Sequence, residues 1–192
     1  MNLQAGRGRH SSARMAAITG LALAAIALSA CQAFGSRHPV GNASVPQPAK
    51  AVDIERYLGR WYEIARYEQS FQKGCEGVTA DYSLRADGSI EVVNRCRRKD
   101  GTTSMARGRA KVAGEDGSAK LKVSFFGPFY GDYWVLDRGD DYSWSIVGEP
   151  SGRYLWILAR EATPAAQKVK ELVGRAQGLG YDTSLLLYTR QP

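Results

Sequence analysis

The chain has 192 residues, enough for one or two domains. Three of its 26 basic residues (Arg7, Arg9 and Arg14) and none of its 19 acidic ones precede Cys31. From Cys31 onward, 23 cations therefore face 19 anions, a net charge of +4 that is too mild to recruit nucleic acid. The only histidines are His10 and His38. Any domain beyond them lacks a histidine general base, a Ser-His-Asp triad and a histidine metal or haem ligand.

In chain order, the three arginines form a basic n-region. They precede "MAAITGLALAAIALSA", Met15 to Ala30, an uncharged run shorter than the roughly 20 residues a membrane span requires. Ending in small residues, it has the form of a cleaved signal peptide, assigned to residues 1–30. "LSAC", Leu28 to Cys31, resembles a bacterial lipobox, which implies a lipid-modified Cys31 at the mature N-terminus. Several acyl chains, at about 0.8 kcal/mol per buried methylene, make a strong membrane anchor. Gln32 rather than Asp follows the cysteine, and by resemblance to known sorting rules this favours the outer membrane. Residues 31–52 hold Pro, Gly, Ser and Ala in abundance and are expected to be a flexible tether.

The folded domain is expected over residues 53–192. "DIERYL" predicts a short helical turn. "GRWYEIARY", Gly59 to Tyr67, reads as a strand with Trp61, Glu63, Ala65 and Tyr67 on one face, although both faces carry aromatics and charge. Two β-rich runs flank "ADGS", with Asp87-Gly88 at a hairpin turn. This pairing brings Cys75 close to Cys96, and in an oxidising compartment the two are expected to form a disulfide. Further strands follow at "TSMARGRAKVA", "AKLKVSFF", "DYWVLDR" after a break at "GPFYG", "YSWSIVGEP" and "RYLWILAR". Eight short strands with Gly/Asp turns argue for an antiparallel sandwich or an up-and-down barrel. Thr163 and Pro164 then fit an N-cap and first helical position. Val169, Leu172, Val173 and Ala176 recur at helical spacing, which predicts an amphipathic helix over 164–177 packed on the sheet. A last short strand is expected in "SLLLYT".

Asp140-Asp141 and Glu115-Asp116 sit at turns, where solvation suffices to explain them. No Gly-rich phosphate loop is present. The stronger signal is three motifs in order: Gly59-x-Trp61, Gly131-Asp132-Tyr133, and "YLWILAR" ending in Arg160. Together with the lipobox, the strand pattern and the helix, they resemble the lipocalins, and in particular the bacterial outer-membrane lipoprotein lipocalins. The second motif begins with Gly where the family has Thr, which puts its loop contacts in question.

The resemblance implies an all-β fold: an eight-stranded antiparallel up-and-down barrel with one C-terminal α-helix packed outside. Such a barrel leaves room for one small ligand. Trp61 would fill the floor under Arg160 as a cation–π pair, with Gly59 allowing close passage of the chain. Alternation guided by the family register gives Val78, Ala80, Tyr82, Phe125, Tyr133, Val147, Tyr154, Trp156 and Leu158 as cavity residues. Leu84, Ala106, Gly108, Ala110, Leu121, Val123, Val135 and Ser145 also face inward on this register. The tyrosine hydroxyls are expected as polar anchors near the mouth.

Small residues at Ala106, Gly108 and Ala110 favour a cavity over a filled core. Phe71 and Lys73, in the first long loop, either flank the mouth or anchor the loop. The implied function is binding of a fatty acid, lysophospholipid or similar lipid at the envelope, facing the periplasm, with no cofactor, no metal and no catalytic residue. Membrane contact would come through the N-terminal lipid, and monomer and homodimer stay open. Glu63 with Tyr133 is the best catalytic constellation available, and Glu63 needs a buried donor if it points inward.

Overall fold

A computed structural model describes residues 39–115 and 117–191. The signal-peptide and Cys31 expectations lie outside the described residues. The elements run in order as α1 (Ile54–Tyr57), β1 (Gly59–Tyr67), β2 (Cys75–Leu84), β3 (Ile90–Arg98), β4 (Thr103–Val112), β5 (Lys120–Phe126), β6 (Phe129–Arg138), β7 (Trp144–Gly148), β8 (Leu155–Ala159), α2 (Ala166–Gly178) and β9 (Leu186–Tyr188).

Each strand from β1 to β8 pairs antiparallel with the next, and β8 returns to β1. The eight strands therefore close an up-and-down barrel rather than a sandwich, as the family resemblance implied. β1 is shared unevenly between its neighbours. Gly59–Tyr62 pairs with β2, while the stretch beyond pairs with β8 and with β9. Where β1 and β2 diverge, the C-terminal segment wedges between them. Thr189 N donates to Ile64 O (3.0 Å) and Gly77 N to Arg190 O (2.8 Å). Gln191 Nε2 donates to Glu63 O (2.6 Å) and Val78 O (2.9 Å).

The mixed faces of "GRWYEIARY" follow from a bulge. Glu63 faces Leu158 and Ala65 faces Ile157, so Ile64 is an extra residue and the alternation flips after it. Trp61, Glu63 and then Arg66 point into the barrel. Tyr62, Ile64, Ala65 and Tyr67 point out, and all four pack in or against the outer hydrophobic cluster. The expectation that Ala65 and Tyr67 share the face of Trp61 is thereby corrected.

Two apolar clusters result. One fills the barrel interior around Trp61. The other lies between the outer face of β1, β6, β7 and β8 and the helix α2, which contributes Leu172 and Ala176 at its centre and Val169 and Val173 at its edge. The helix begins later than expected: Ala165 is its N-cap and makes no side-chain capping bond. Packing of its apolar stripe, not a cap from Thr163, places it. β6 also begins earlier than Asp132, at Phe129, so the break after β5 is confined to Gly127-Pro128, a cis peptide.

The C-terminal part of the expected tether is seated on the barrel. Gly41 N and Asn42 N donate to Gly152 O (3.0 and 3.2 Å), and Asp182 N donates to Gly41 O (2.9 Å). Asn42 Nδ2 donates to Leu179 O (2.9 Å), and Val52 is 2% exposed. Gly152 is required here because a Cβ at this position would overlap the Asn42 carbonyl. Residues 39–52 read as linker from composition but are held by backbone contacts that composition does not encode.

Candidate functional site

The strand directions give the barrel two unlike ends. The turns after β2, β4 and β6, together with α1, lie at the end where β1 starts. The loops after β1, β3, β5 and β7 lie at the other.

The first end is sealed. Trp61 is fully buried, and its indole N–H donates to Tyr57 O (2.8 Å). The Arg160 guanidinium lies 3.8 Å from the Trp61 ring centre, a cation–π contact of about 0.5–2 kcal/mol. Arg160 also donates to the carbonyls of Arg60 (2.7 Å), Arg56 (3.0 Å), Tyr57 (3.2 Å), Leu58 (2.8 Å) and Tyr142 (3.3 Å). Those of Arg56, Tyr57 and Leu58 are at the end of α1 and its exit, where carbonyls have no helical partners of their own, while Arg60 belongs to β1 and Tyr142 to the β6–β7 turn. Gly59, at φ 91°, turns the chain under this guanidinium. Asp132, the other charged motif residue, pairs with Lys122 (2.7 Å) on neighbouring β5.

Just inside this floor stands a chain of four hydroxyls. Ser145 Oγ lies 3.1 Å from Tyr57 OH, Tyr57 OH lies 2.9 Å from Tyr133 OH, and Tyr82 OH donates to Tyr133 OH (3.0 Å). Burial pushes all three phenols above their ordinary value, so they stay protonated. Four hydroxyl protons and three links leave one proton over, available to an acceptor. The tyrosine hydroxyls expected near the mouth thus belong to the floor.

Above them the wall is apolar. Ala80, Tyr82, Phe125, Tyr133, Val147, Trp156 and Leu158 all pack in or against the interior cluster, as do Leu121, Val123, Val135 and Ala110. Burial varies from residue to residue around the wall. Trp61, Leu121, Val135, Ser145 and Val147 are almost fully buried, whereas Ala80, Val123, Phe125, Tyr133, Tyr154 and Trp156 are only partly so. Tyr154 and Trp156, where β8 begins at the second end, are among the partly exposed side chains. Val78 is buried at the seam beside Gln191, outside that cluster.

Two expectations need correction. Leu84, at the tip of β2, is 54% exposed, because the strand outruns the barrel there. The space beside Gly108 is taken by the Phe125 ring, which a Cβ would meet at 2.8 Å, so this glycine serves packing rather than an empty cavity. Two grooves of about 380 and 260 Å³ lie outside the barrel, lined by residues 48–51 with Glu115 and residues 117–120 and by Pro39, Tyr67, Glu68, Arg153, Leu185 and Leu187. Neither includes an inward-facing wall residue.

Toward the open end lies the polar network that answers the Glu63 question. Glu63 and Arg66 are 2% and 3% exposed. Arg66 Nη1 donates to Glu63 Oε1 (2.9 Å), as does Thr189 Oγ1 (2.5 Å), and Gln72 Nε2 donates to Oε2 (2.8 Å). Gln72 Oε1 accepts from Trp156 Nε1 (2.9 Å). The buried carboxylate is thus satisfied by Arg66, Gln72 and Thr189. Tyr133 is not among its partners, so the Glu63–Tyr133 constellation does not form.

Phe71 is 64% exposed and stacks on Tyr154 (6.4 Å between centres), which stacks on Trp156 (5.6 Å). Lys73 is exposed on the same loop. Cys75 and Cys96 form a disulfide with Cα atoms 5.3 Å apart, tying this loop to β3. In this register Cys75 faces Arg98 and Val78 faces Cys96, and the bulge at Gly77 (φ 61°) between them shifts Cys75 one residue closer to Cys96.

Sequence reasoning missed Tyr57, Ile90, Val92 and Asn94 as inward-facing. The β3 residues were legible from the alternation Ile90, Val92, Asn94. Asn94 stands opposite Ala80 and Ala106, and its Oδ1 has no partner among the described residues.

A lipocalin-like domain model matches residues 52–191. The outer membrane lipoprotein Blc of Escherichia coli K12 is 42% identical over 156 residues, 78% of this chain and 88% of that protein. Temperature-induced lipocalin-1 of Arabidopsis thaliana is 41% identical over 151 residues, 74% and 81% of the two chains. Among solved structures, insecticyanin from the tobacco hornworm Manduca sexta superposes with a TM-score of 0.65 at 19% identity, over 82% of this chain and 90% of that one.

Proposed function

The chain belongs to the lipocalin family, and from that premise we propose that it is an outer-membrane-anchored binding protein. Its barrel takes up a fatty acid, a lysophospholipid or a similar small hydrophobic ligand and stores or carries it at the periplasmic face. The observation that carries this reading is the inner wall: apolar side chains face inward, sealed at Trp61 and partly exposed at Trp156 and Tyr154. Ala80, Tyr82, Phe125, Tyr133, Val147, Tyr154, Trp156 and Leu158 would line the ligand, with Phe71 and Lys73 at the mouth. The spare hydroxyl proton at the floor offers one polar contact to a ligand that reaches it. Burying an acyl chain of about 300 Å² at about 25 cal/mol per Å² contributes about 7 kcal/mol before ordering costs, so micromolar binding needs no charged contact.

No catalytic step is required, and Glu63, already bonded to three donors, is poorly placed as a base. Anchoring rests on Cys31 and on the name of the bacterial relatives. Titration of residues 38–192 with a fluorescent fatty acid tests the binding. Saturable uptake that Ala80→Trp or Leu158→Trp abolishes is expected. No uptake, with no lipid extractable from the purified protein, would refute it.

A further inference from the structure

The protein has five phenylalanines, and among the described residues none is fully buried. Phe125 is half-buried in the lumen. Phe71, Phe126 and Phe129 are 64%, 83% and 78% exposed; Phe71 is on the β1–β2 loop, and Phe126 and Phe129 are the paired strand ends that flank the β5–β6 turn at the open end. Folded proteins place phenylalanine inside, and exposed apolar clusters mark contact surfaces. The same end carries cations. Arg97, Arg98 and Lys99 lie at the β3–β4 hairpin and Lys73 on the β1–β2 loop. None is in an ion pair among the described residues, although Arg98 donates a hydrogen bond to Ser104 Oγ (3.3 Å).

Of the acids at this end, Glu76 stands opposite Arg97 in the β2–β3 register without forming an ion pair among the described residues, and the others are engaged elsewhere. Asp100 accepts from Thr102 N and Oγ1 (2.9 and 2.6 Å), Glu149 from Ser151 and Arg153 N, and Glu68 lies 3.8 Å from Arg66. The closed end is different. There Asp81, Asp87 and Glu91 pair with arginines at its rim.

We propose that the open end docks directly on an anionic phospholipid surface. Phe71, Phe126 and Phe129 enter the boundary between headgroups and acyl chains, while Arg97, Arg98, Lys99 and Lys73 meet the phosphates. Aromatic tips ringed by lysine and arginine are what such a surface binds, and the attraction falls with salt. A second copy of the chain docked mouth to mouth would set the β3–β4 cations against a like-charged face. Docked on lipid, the mouth faces the bilayer, and an acyl chain passes between bilayer and barrel without crossing water. The surface does not depend on which lipid the barrel holds.

The test uses the full chain reconstituted in vesicles, so that the anchor holds the domain near the membrane whatever its orientation. Gly127→Cys places a fluorescent label between Phe126 and Phe129, where an added Cβ meets open space. Ala86→Cys labels a closed-end turn, and Cys75 and Cys96 are protected by their disulfide. In vesicles of equal phosphatidylcholine and phosphatidylglycerol, a nitroxide-bearing phospholipid is expected to quench the label at 127 at least threefold more than the label at 86. That ratio is expected to fall toward one in pure phosphatidylcholine, in 0.5 M salt, in the triple variant R97Q/R98Q/K99Q and in F126S/F129S.

Equal quenching at both ends, or none at 127, would overturn the proposal. So would a blue-shifted label at 127 that lipid nitroxide fails to quench, because protein would then cover the mouth. Fatty-acid uptake by the same variants is measured separately, so loss of docking with uptake intact leaves the carrier reading standing.

Discussion

The two ends of the barrel solve opposite problems. At the closed end, each guanidinium nitrogen of Arg160 donates to a carbonyl while the group stacks on Trp61, and the hydroxyls of Tyr57, Tyr82, Tyr133 and Ser145 link to one another. At the open end, β1 leaves β2, and the gap is filled by a C-terminal wedge, a disulfide and a buried Glu63–Arg66 pair. Aromatic side chains there are left in solvent. Stability is concentrated where the barrel is sealed, and exposure is tolerated where it opens.

The contrast can be broken at several points. Trp61→Ala removes the largest fully buried side chain, with an expected cost of about 3–5 kcal/mol in urea unfolding. Glu63→Ala leaves the Arg66 guanidinium without its buried counter-charge and with only the half-exposed Glu68 at 3.8 Å, with an expected loss of about 3 kcal/mol. Replacing Glu63 and Arg66 together by leucine and methionine is expected to recover most of that loss, because a buried pair contributes little beyond an apolar isostere. Replacing Cys75 and Cys96 by alanine frees a loop spanning 21 positions, at an expected cost of about 2–3 kcal/mol. Hydrogen exchange should then rise at β9 and the β1–β2 loop before it rises around Trp61.

Alkali probes the floor and the outer cluster together. Burial raises Tyr67 to about 12, and raises Tyr57, Tyr82 and Tyr133 as well. Between pH 10 and 12 the unfolded chain loses phenolic protons that the folded one keeps, so folding stability is full below pH 10 and falls as pH rises through that window. Urea midpoints at pH 9, 10 and 11 check this, and a flat profile would contradict it. The smallest effect is expected at the open end: Phe126→Ser, 83% exposed, should change stability by less than about 0.5 kcal/mol.

The sequence carried a great deal. Alternation and Gly/Asp turns placed the eight barrel strands, and helical spacing at Val169, Leu172, Val173 and Ala176 placed α2. These patterns are local and repeat within a few residues. The Cys75–Cys96 pairing was legible because one hairpin joins them.

What failed were features made by distant chain. Ile64 is one residue too many only because β8 opposes it, so the exit of Ala65 and Tyr67 from the inner face could not be read from β1 alone. Pro, Gly and Ser in residues 39–52 looked like linker because nothing in their composition shows Gly152 and Leu179 waiting as partners. Gly108 looked like an empty wall until Phe125 was seen lying on it. Sequence by itself determined the period, the turns and the apolar faces, which depend on neighbours within a strand or helix turn. Only the tertiary structure decided which end is sealed, what satisfies Glu63 and which phenylalanines face solvent. Each of those depends on groups brought together from opposite ends of the chain, as Glu63 is with Thr189 and Gln191.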